Sequence, residues 1–402
     1  MAALSVVLGL LAVVLLLPTA SDVVSLARIA LRRERQRPAS SHETPRLLFL
    51  VPAHNEQLLI ESCVRSILRI RYPTTHYGVV VVADNCTDRT AALARAAGAR
   101  CLERNDPARP GKPQAIAWAL QQPAIMNDHD AVVIVDADTV VAPDFAAALA
   151  GAVPLNGKAV QAYFDVRNRT ETALTRLATL LAAVTHRFAY PLKQRAGLNV
   201  PLVGNGLCIG TTALREHGWM AFSIAEDWEM YARLTARGVL IEGMPNAVVY
   251  AQEARTLRQS WSQRQRWTAG KLTVLARVGP SILHSRRIGW RQKLDAIAEL
   301  STPGPVLHLS LAIVVISVAL VTPWPAVIMA LAAGSLLRPF AYTVAALRVQ
   351  PDPVRTLAAF AFLPVYALWR LGAAAAAVTM LGDKPWIRTQ RNSEDVPSES
   401  GS

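Results

Sequence analysis

Four polar clusters stand in order along this chain: Asp84-Asn85-Cys86-Thr87-Asp88, Asp136-Ala137-Asp138, Glu226-Asp227 and Gln263-Arg264-Gln265-Arg266-Trp267. Asp136 and Asp138 follow the apolar run 131–135, which puts two carboxylates on one short turn. Hard oxygens of this kind suit Mg2+ or Mn2+, with water and phosphate oxygens completing the coordination. Such a metal would stabilise the charge of a departing diphosphate. A solvated strand-end turn is the plainer reading of an isolated D-x-D. Asp84 ends another apolar run and could accept the imide N–H of uracil, while Asp88 suits a helix cap. Asp227 is the candidate base for an acceptor hydroxyl, with Glu226 and Glu229 as alternatives. Acids also favour helix N-termini without doing chemistry. Gln263, Arg266 and Trp267 fall at i, i+3 and i+4, on one helix face. The indole could stack on an acceptor sugar and the guanidinium could hold a diphosphate. A tryptophan-anchored interface helix is the plain alternative.

Further candidates surround these. Pro52-Ala53-His54-Asn55-Glu56 closes the first apolar run, so Pro52 and Asn55 could line a base pocket and Glu56 could orient a ribose. His54 reads as a local hydrogen-bonder. Lys112, after Gly111 and before a helix, could reach nucleotide or phosphate oxygens, against the alternative of a solvated loop lysine. The segment Gly204-Asn205-Gly206 would let backbone approach an acceptor, or form a plain turn. Arg338 and Arg370 fall inside apolar stretches, where a charge is costly and normally has a partner. A lipid phosphate or a glycan would serve as that partner.

The elements that must position these residues follow from patterning. Between 45 and 250, short Val-rich runs (47–52, 79–83, 99–103, 131–135, 159–164) alternate with helical stretches (57–70, 87–97, 114–121). This pattern predicts an α/β fold with a mainly parallel sheet and helices on both faces. Ligands bind beyond the carboxyl ends of such strands, which gathers Asn55, Asp84 and Asp136 on one rim.

The two ends are apolar and lift the hydrophobic share of the 402 residues to 52%. Residues 1–31 read as an uncleaved transmembrane anchor rather than a signal peptide, because arginines follow the run and none precedes it. That rule sets the catalytic domain, 45–278, in the cytoplasm. Residues 279–302 suggest interface helices, and 303–381 a membrane bundle of three stretches, 303–321, 325–347 and 356–381. Residues 382–402 form a polar tail. Four crossings would leave Arg388 and Arg391 outside, against the positive-inside rule, so one stretch is expected to be re-entrant or interfacial. The net charge of +13 is concentrated beside the apolar runs, as in Arg28, Arg32, Arg33, Arg35 and Arg37. This favours membrane apposition, and no nucleic-acid motif competes. Cys63, Cys86, Cys101 and Cys208 lack zinc spacing and read as free thiols.

Taken together, the motifs resemble the membrane-embedded glycosyltransferase family 2 enzymes, which include cellulose, chitin, hyaluronan and poly-N-acetylglucosamine synthases. The resemblance runs from about Leu47 to Arg391 and implies a GT-A fold and inverting transfer. It assigns Asp84 and Asp136 to the nucleotide, Asp136 and Asp138 to Mg2+ or Mn2+, and Asp227 to the base. Gln263, Arg266 and Trp267 go to acceptor and diphosphate, and Trp386-Ile387-Arg388-Thr389 matches a terminal W-x-x-T segment. Ala225 replaces the usual Thr before Glu-Asp. The implied activity is transfer from a UDP-sugar to a growing β-linked polysaccharide at the inner membrane. The alternatives are a single transfer to a lipid or short glycan, or a nonenzymatic nucleotide-sugar sensor. With so few spans, a polymer channel would need a second copy or an export partner.

Overall fold

A computed structural model describes residues 2–31 and 44–382. The basic residues Arg32 to Arg37, the Trp386–Thr389 segment, Arg391 and the tail lie outside the described residues.

Eight strands form one sheet: β1 (Leu47–Ala53), β2 (Tyr77–Asp84), β3 (Arg100–Arg104), β4 (Ala131–Ile134), β5 (Val140–Val141), β6 (Lys158–Val166), β7 (Leu207–Gly210) and β8 (Leu240–Ala251). Their order is β3-β2-β1-β4-β7-β6-β8-β5. The neighbours β3, β2, β1 and β4 run parallel, and β6 pairs in parallel with β8. β7 is antiparallel to β4 and β6, and β5 to β8. The sheet is therefore mainly parallel, as the Val-rich runs predict, with two reversed strands that they do not. Burial on both faces explains the continuous apolar runs: β1 and β4 are buried throughout. β1 is flanked by β2 and β4, so strand order reverses there and a crevice opens at its carboxyl end.

The helices that matter below are α1 (Ala2–Leu31), α2 (Ile60–Leu68), α3 (Thr90–Ala96), α4 (Lys112–Leu120), α5 (Tyr190–Arg195), α6 (Glu226–Ala236), α7 (Leu257–His284), α8 (Trp290–Ser301), α9 (Pro305–Ala319), α10 (Pro325–Ser335), α11 (Leu337–Leu347) and α12 (Leu363–Ala377). Among the described residues, three stretches are long and apolar enough to cross a membrane: Ala2–Leu31, Pro325–Leu347 and Pro353–Met380. α8 and α9 form an 85° elbow that would count as a fourth.

Packing gives these helices direction. Along α1, Leu16 meets Gly334, Thr19 donates to Ser335 O at 3.2 Å, and Asp22 pairs with Arg338 at 2.8 Å. The two segments therefore run parallel. α9 lies against both in the opposite sense, with His308 at Ser335 (3.0 Å) and Val315 and Ala319 clustered with Leu8, Ala12 and Ile328. The last apolar stretch behaves differently, because it lies lengthwise on α7. Trp369 meets Trp261 edge-on at 5.5 Å, and Gly382 N–H reaches Thr273 Oγ1 at 3.4 Å.

A buried polar clamp joins the membrane-type helices to the sheet domain. Lys193 of α5 is ion-paired with Asp295 and lies 3.1 Å from Glu299 on α8. Ser21 donates to Asp295 at 2.8 Å, and Arg338 bridges Asp22 and Glu299. The two intramembrane-type arginines thus differ: Arg338 has protein partners, whereas Nη1 of Arg370 has none among the described residues.

Candidate active site

A cleft of about 540 Å³ opens at the carboxyl ends of β1, β2 and β4. Its lining includes Pro52, Glu56, Asp84, Lys112, Asp136, Asp138 and Asp227 from the sheet side, and Gln263, Arg266 and Trp267 from α7. Residues 215 positions apart in sequence thus converge because parallel strands end on one rim while α7 crosses over it.

Each wall has a local cause. Asn55 does not line the cleft: with φ +53, its carboxamide oxygen accepts the Thr87 N–H at 2.8 Å and ties the β1 loop to the β2 loop. Asp88 accepts Thr90 N–H at 2.9 Å and so starts α3, while His54 bonds Asp84 O at 2.7 Å. Asp84 is 2% exposed. Its oxygens are taken by Arg104 at 2.5 Å, Asn85 Nδ2 at 3.0 Å and Gly111 N–H at 3.0 Å. Its charge is therefore spent on holding the Gly111 loop. Gly111 has φ +108, a conformation that disfavours side chains, and it launches α4 with Lys112 as its first residue.

Lys112 is the hub of the cleft. Its ammonium contacts Asp136 Oδ1 at 2.6 Å, Gly204 O at 2.8 Å and Glu226 Oε1 at 3.2 Å, which uses all three donors. Burial alone would lower its pKa, yet Asp136 and Glu226 outweigh burial and hold it above its ordinary value. Burial raises Asp136, and Asp138 adds to this while Lys112 opposes it. The Asp138 carboxylate therefore acts electrostatically on Asp136. Among the described residues no group of three ligand-type side chains converges. This donor set, two hard carboxylates on one turn, fits a divalent cation only where substrate oxygens complete the shell.

Opposite Lys112 stands α6. Asp227 Oδ1 accepts its neighbour's Trp228 N–H at 2.8 Å. Burial first, then the adjacent Glu226, push the Asp227 carboxyl up to about 7. Glu229, the other acid on this turn, accepts Phe222 and Ser223 N–H (3.0 and 2.9 Å) and pairs with Arg233. It is a loop holder. Gly204, at φ +76, leaves its Cβ position 3.4 Å from Asp227 Oδ2 and 3.6 Å from Lys112 Nζ. Any side chain there would be strained and would press on both groups. Ala225 explains itself as well. A Cβ on Gly270 of α7 would come 2.6 Å from Ala225 Cβ, so both residues must be small for α6 and α7 to cross so closely. Trp267 is 42% exposed and carries the Arg264 guanidinium over its ring at 4.6 Å, with Arg264 paired to Glu253 at 2.5 Å.

Sequence reasoning missed Arg104 and Glu253, and it read Asn205 only as part of a glycine-rich backbone segment. Asn205 accepts Asp136 N–H at 3.2 Å and donates to Thr139 at 2.7 Å, fixing the acidic turn. Its position between two positive-φ glycines was the available signal.

Known proteins resemble this arrangement. "Glycosyltransferase like family 2" matches residues 45–270. Beta-monoglucosyldiacylglycerol synthase of Trichormus variabilis is 27% identical over 71% of this chain and 61% of that protein. Poly-beta-1,6-N-acetyl-D-glucosamine synthase of Staphylococcus aureus is 26% identical over 60% of this chain and 58% of its own length. The chain spans 55 to 61% of the curated relatives it first matches. The mannosyltransferase PcManGT from Pyrobaculum calidifontis, solved with GDP-Man and Mn2+, shares 22% identity over 92% of this chain and 98% of that one. Its TM-score of 0.53 establishes a common fold, the expected GT-A type. With the family matching more than half of its length, this chain belongs to glycosyltransferase family 2.

Proposed function

We propose that this chain transfers one sugar, with inversion, from a nucleoside-diphosphate sugar, a UDP-sugar first of all, to a hydroxyl of a lipid or short glycan at the membrane surface. The observation that carries the reading is Asp227: a carboxyl raised to about 7 that shares a cleft with the Asp136–Asp138 turn and with Arg266. Such a group takes a hydroxyl proton as the oxygen attacks. Asp136 and Asp138 would hold Mg2+ or Mn2+, which when bound supplies charge to the diphosphate leaving group. Arg266 adds donors to the same diphosphate, Lys112 adds positive charge beside it while its own donors hold Asp136, Gly204 and Glu226, and Trp267 offers its exposed face to the acceptor. Asp84 shapes the base pocket through Gly111 instead of projecting a free carboxylate into it.

Two features favour a single transfer over polymer export. The few membrane-type helices pack directly through Ala12, Ala319 and Ala332, all with no exposure, so that bundle is closed. The last apolar stretch follows α7, which carries Arg264, Arg266, Lys271 and Arg277, so it suits the interface better than the bilayer interior. α1, α9 and α10–α11 then make three crossings in alternating senses. With the N-terminus outside, that count leaves the chain on the cytoplasmic side at Gly382, the last described residue. In this arrangement the protein is an inner-membrane protein with the catalytic domain in the cytoplasm.

The test is product size and nucleotide release from the detergent-purified protein. UDP-sugars and GDP-mannose are supplied with Mg2+ or Mn2+ and with diacylglycerol or short glycans as acceptors. Release from one donor with a single-sugar product supports the reading. A long polymer would replace it with the synthase alternative, and binding without turnover would leave the sensor.

A further inference from the structure

The elbow between α8 and α9 holds an unusual accumulation of positive charge. Gly304 caps α9 without a side chain, and the first helical bond is the one His308 N–H donates to Gly304 O at 2.9 Å. The preceding N–H groups of Val306 and Leu307 have no helical acceptor, and this end of a 15-residue helix carries partial positive charge. Arg370 lies against it, with Nη2 4.0 Å from the Cβ position of Gly304. Arg370 is 6% exposed, and its Nη1 is buried with no hydrogen-bond partner among the described residues. Lys271 adds an ammonium that donates to Thr302 O at 2.7 Å. Glu299 acts on Lys271 but is shared with Lys193 and Arg338, and Glu253 is taken by Arg264. A buried guanidinium beside an uncapped helix start needs a counter-charge.

We infer that the elbow binds a phosphate group, carried by a membrane lipid, on the N-terminus of α9 with Arg370 as its counter-ion. A lipid is the fitting carrier because Gly304 and Pro305 are exposed and the surrounding surface is apolar and aromatic. The next residue, Val306, packs into an apolar and aromatic cluster with Leu363, Tyr366 and Trp369, and the last two stack at 5.7 Å. From this end α9 runs into the apolar bundle, where Val315 and Ala319 pack with Leu8 and Ala12. The site is separate from the cleft, since neither Gly304 nor Arg370 lines it. The inference therefore stands whether or not the sugar-transfer reading does.

The test uses full-length, delipidated protein in detergent and counts bound dioctanoyl phosphatidic acid by native mass spectrometry. Dioctanoylglycerol and inorganic phosphate are the comparison ligands. The expected result is saturable binding of phosphatidic acid, about tenfold or more weaker in Arg370→Gln and partly restored in Arg370→Lys. Arg348→Gln, at an exposed position, should bind as the parent does. Gly304→Asp guards against a folding artefact. Asp is a favourable cap, so this variant should melt no lower than the parent while its carboxylate takes the place of the phosphate and removes binding. Parent-like binding by Gly304→Asp or by folded Arg370→Gln would overturn the site. Equal binding of inorganic phosphate would overturn the lipid assignment, and equal binding of dioctanoylglycerol would overturn the role of phosphate.

Discussion

Asp227→Asn should remove activity and at the same time stabilise the fold. The carboxyl rises from an ordinary 3.8 to about 7, with burial the larger cause and Glu226 the next. Three units correspond to a ceiling of about 4 kcal/mol. Water in the open cleft screens part of this, leaving about 1–2 kcal/mol. Between pH 3.8 and 7 the folded state binds more protons at this site than the unfolded state does, so stability falls as pH rises through that window. The asparagine carries no such term and keeps an oxygen for Trp228 N–H. Its melting temperature should match the parent's near pH 4, then exceed it by roughly 2–6 °C at pH 8. Nucleotide release by the parent should fall about tenfold per unit below pH 7, the limb expected of an Asp227 base held at about 7. Thermal melts and UDP release at pH 5, 6, 7 and 8 measure both effects. An equal loss of stability at every pH would refute the desolvation argument. Retained activity in Asp227→Asn would refute the base.

Other outcomes follow from contacts already described. Gly270→Val should force α6 from α7 at Ala225, costing about 1–3 kcal/mol and lowering kcat, as melting and turnover would reveal. Arg338→Met removes the cation between Asp22 and Glu299, leaving Asp22 only the Tyr342 hydroxyl and Glu299 only Lys193, and denaturation in detergent should register a loss of about 3 kcal/mol. Asp84→Asn weakens the hold on Arg104 and Gly111, so the donor KM should rise more than kcat falls in steady-state kinetics. A chelator should stop nucleotide release, and Mn2+ should restore it in the parent but poorly in Asp138→Asn.

Much of the rim was legible because fully buried parallel strands announce themselves as unbroken Val-rich runs with polar residues at their ends. β1, β2 and β4 were therefore found within two residues, and Asp84 and Asp136 with them. β8 was not, because Gly243 and Pro245 interrupt it near a bulge between Ala162 and Tyr163 of its partner. β7 was lost in the glycine-rich segment that precedes it. Asp84 reads as a nucleotide ligand and does line the cleft, but nothing local reveals Arg104, which faces it only through parallel pairing of β2 and β3. The last apolar stretch keeps the length and composition of a span, and composition does not reveal which of its faces meets lipid and which meets protein. In space, Tyr366, Arg370, Ala373 and Ala377 turn inward while Val365, Leu368 and Val378 turn out.

The polar clamp has a practical consequence for anyone trimming this protein to a soluble catalytic fragment. A version starting at residue 44 and ending before α8 would strip Asp295 and Glu299 from Lys193, a lysine only 2% exposed. It would also uncover the groove in which α8 sits. Such a fragment should aggregate or misfold unless Lys193 is replaced by an apolar residue and the bared surface is made polar, and a detergent-solubilised whole chain is the sounder starting material for crystallisation.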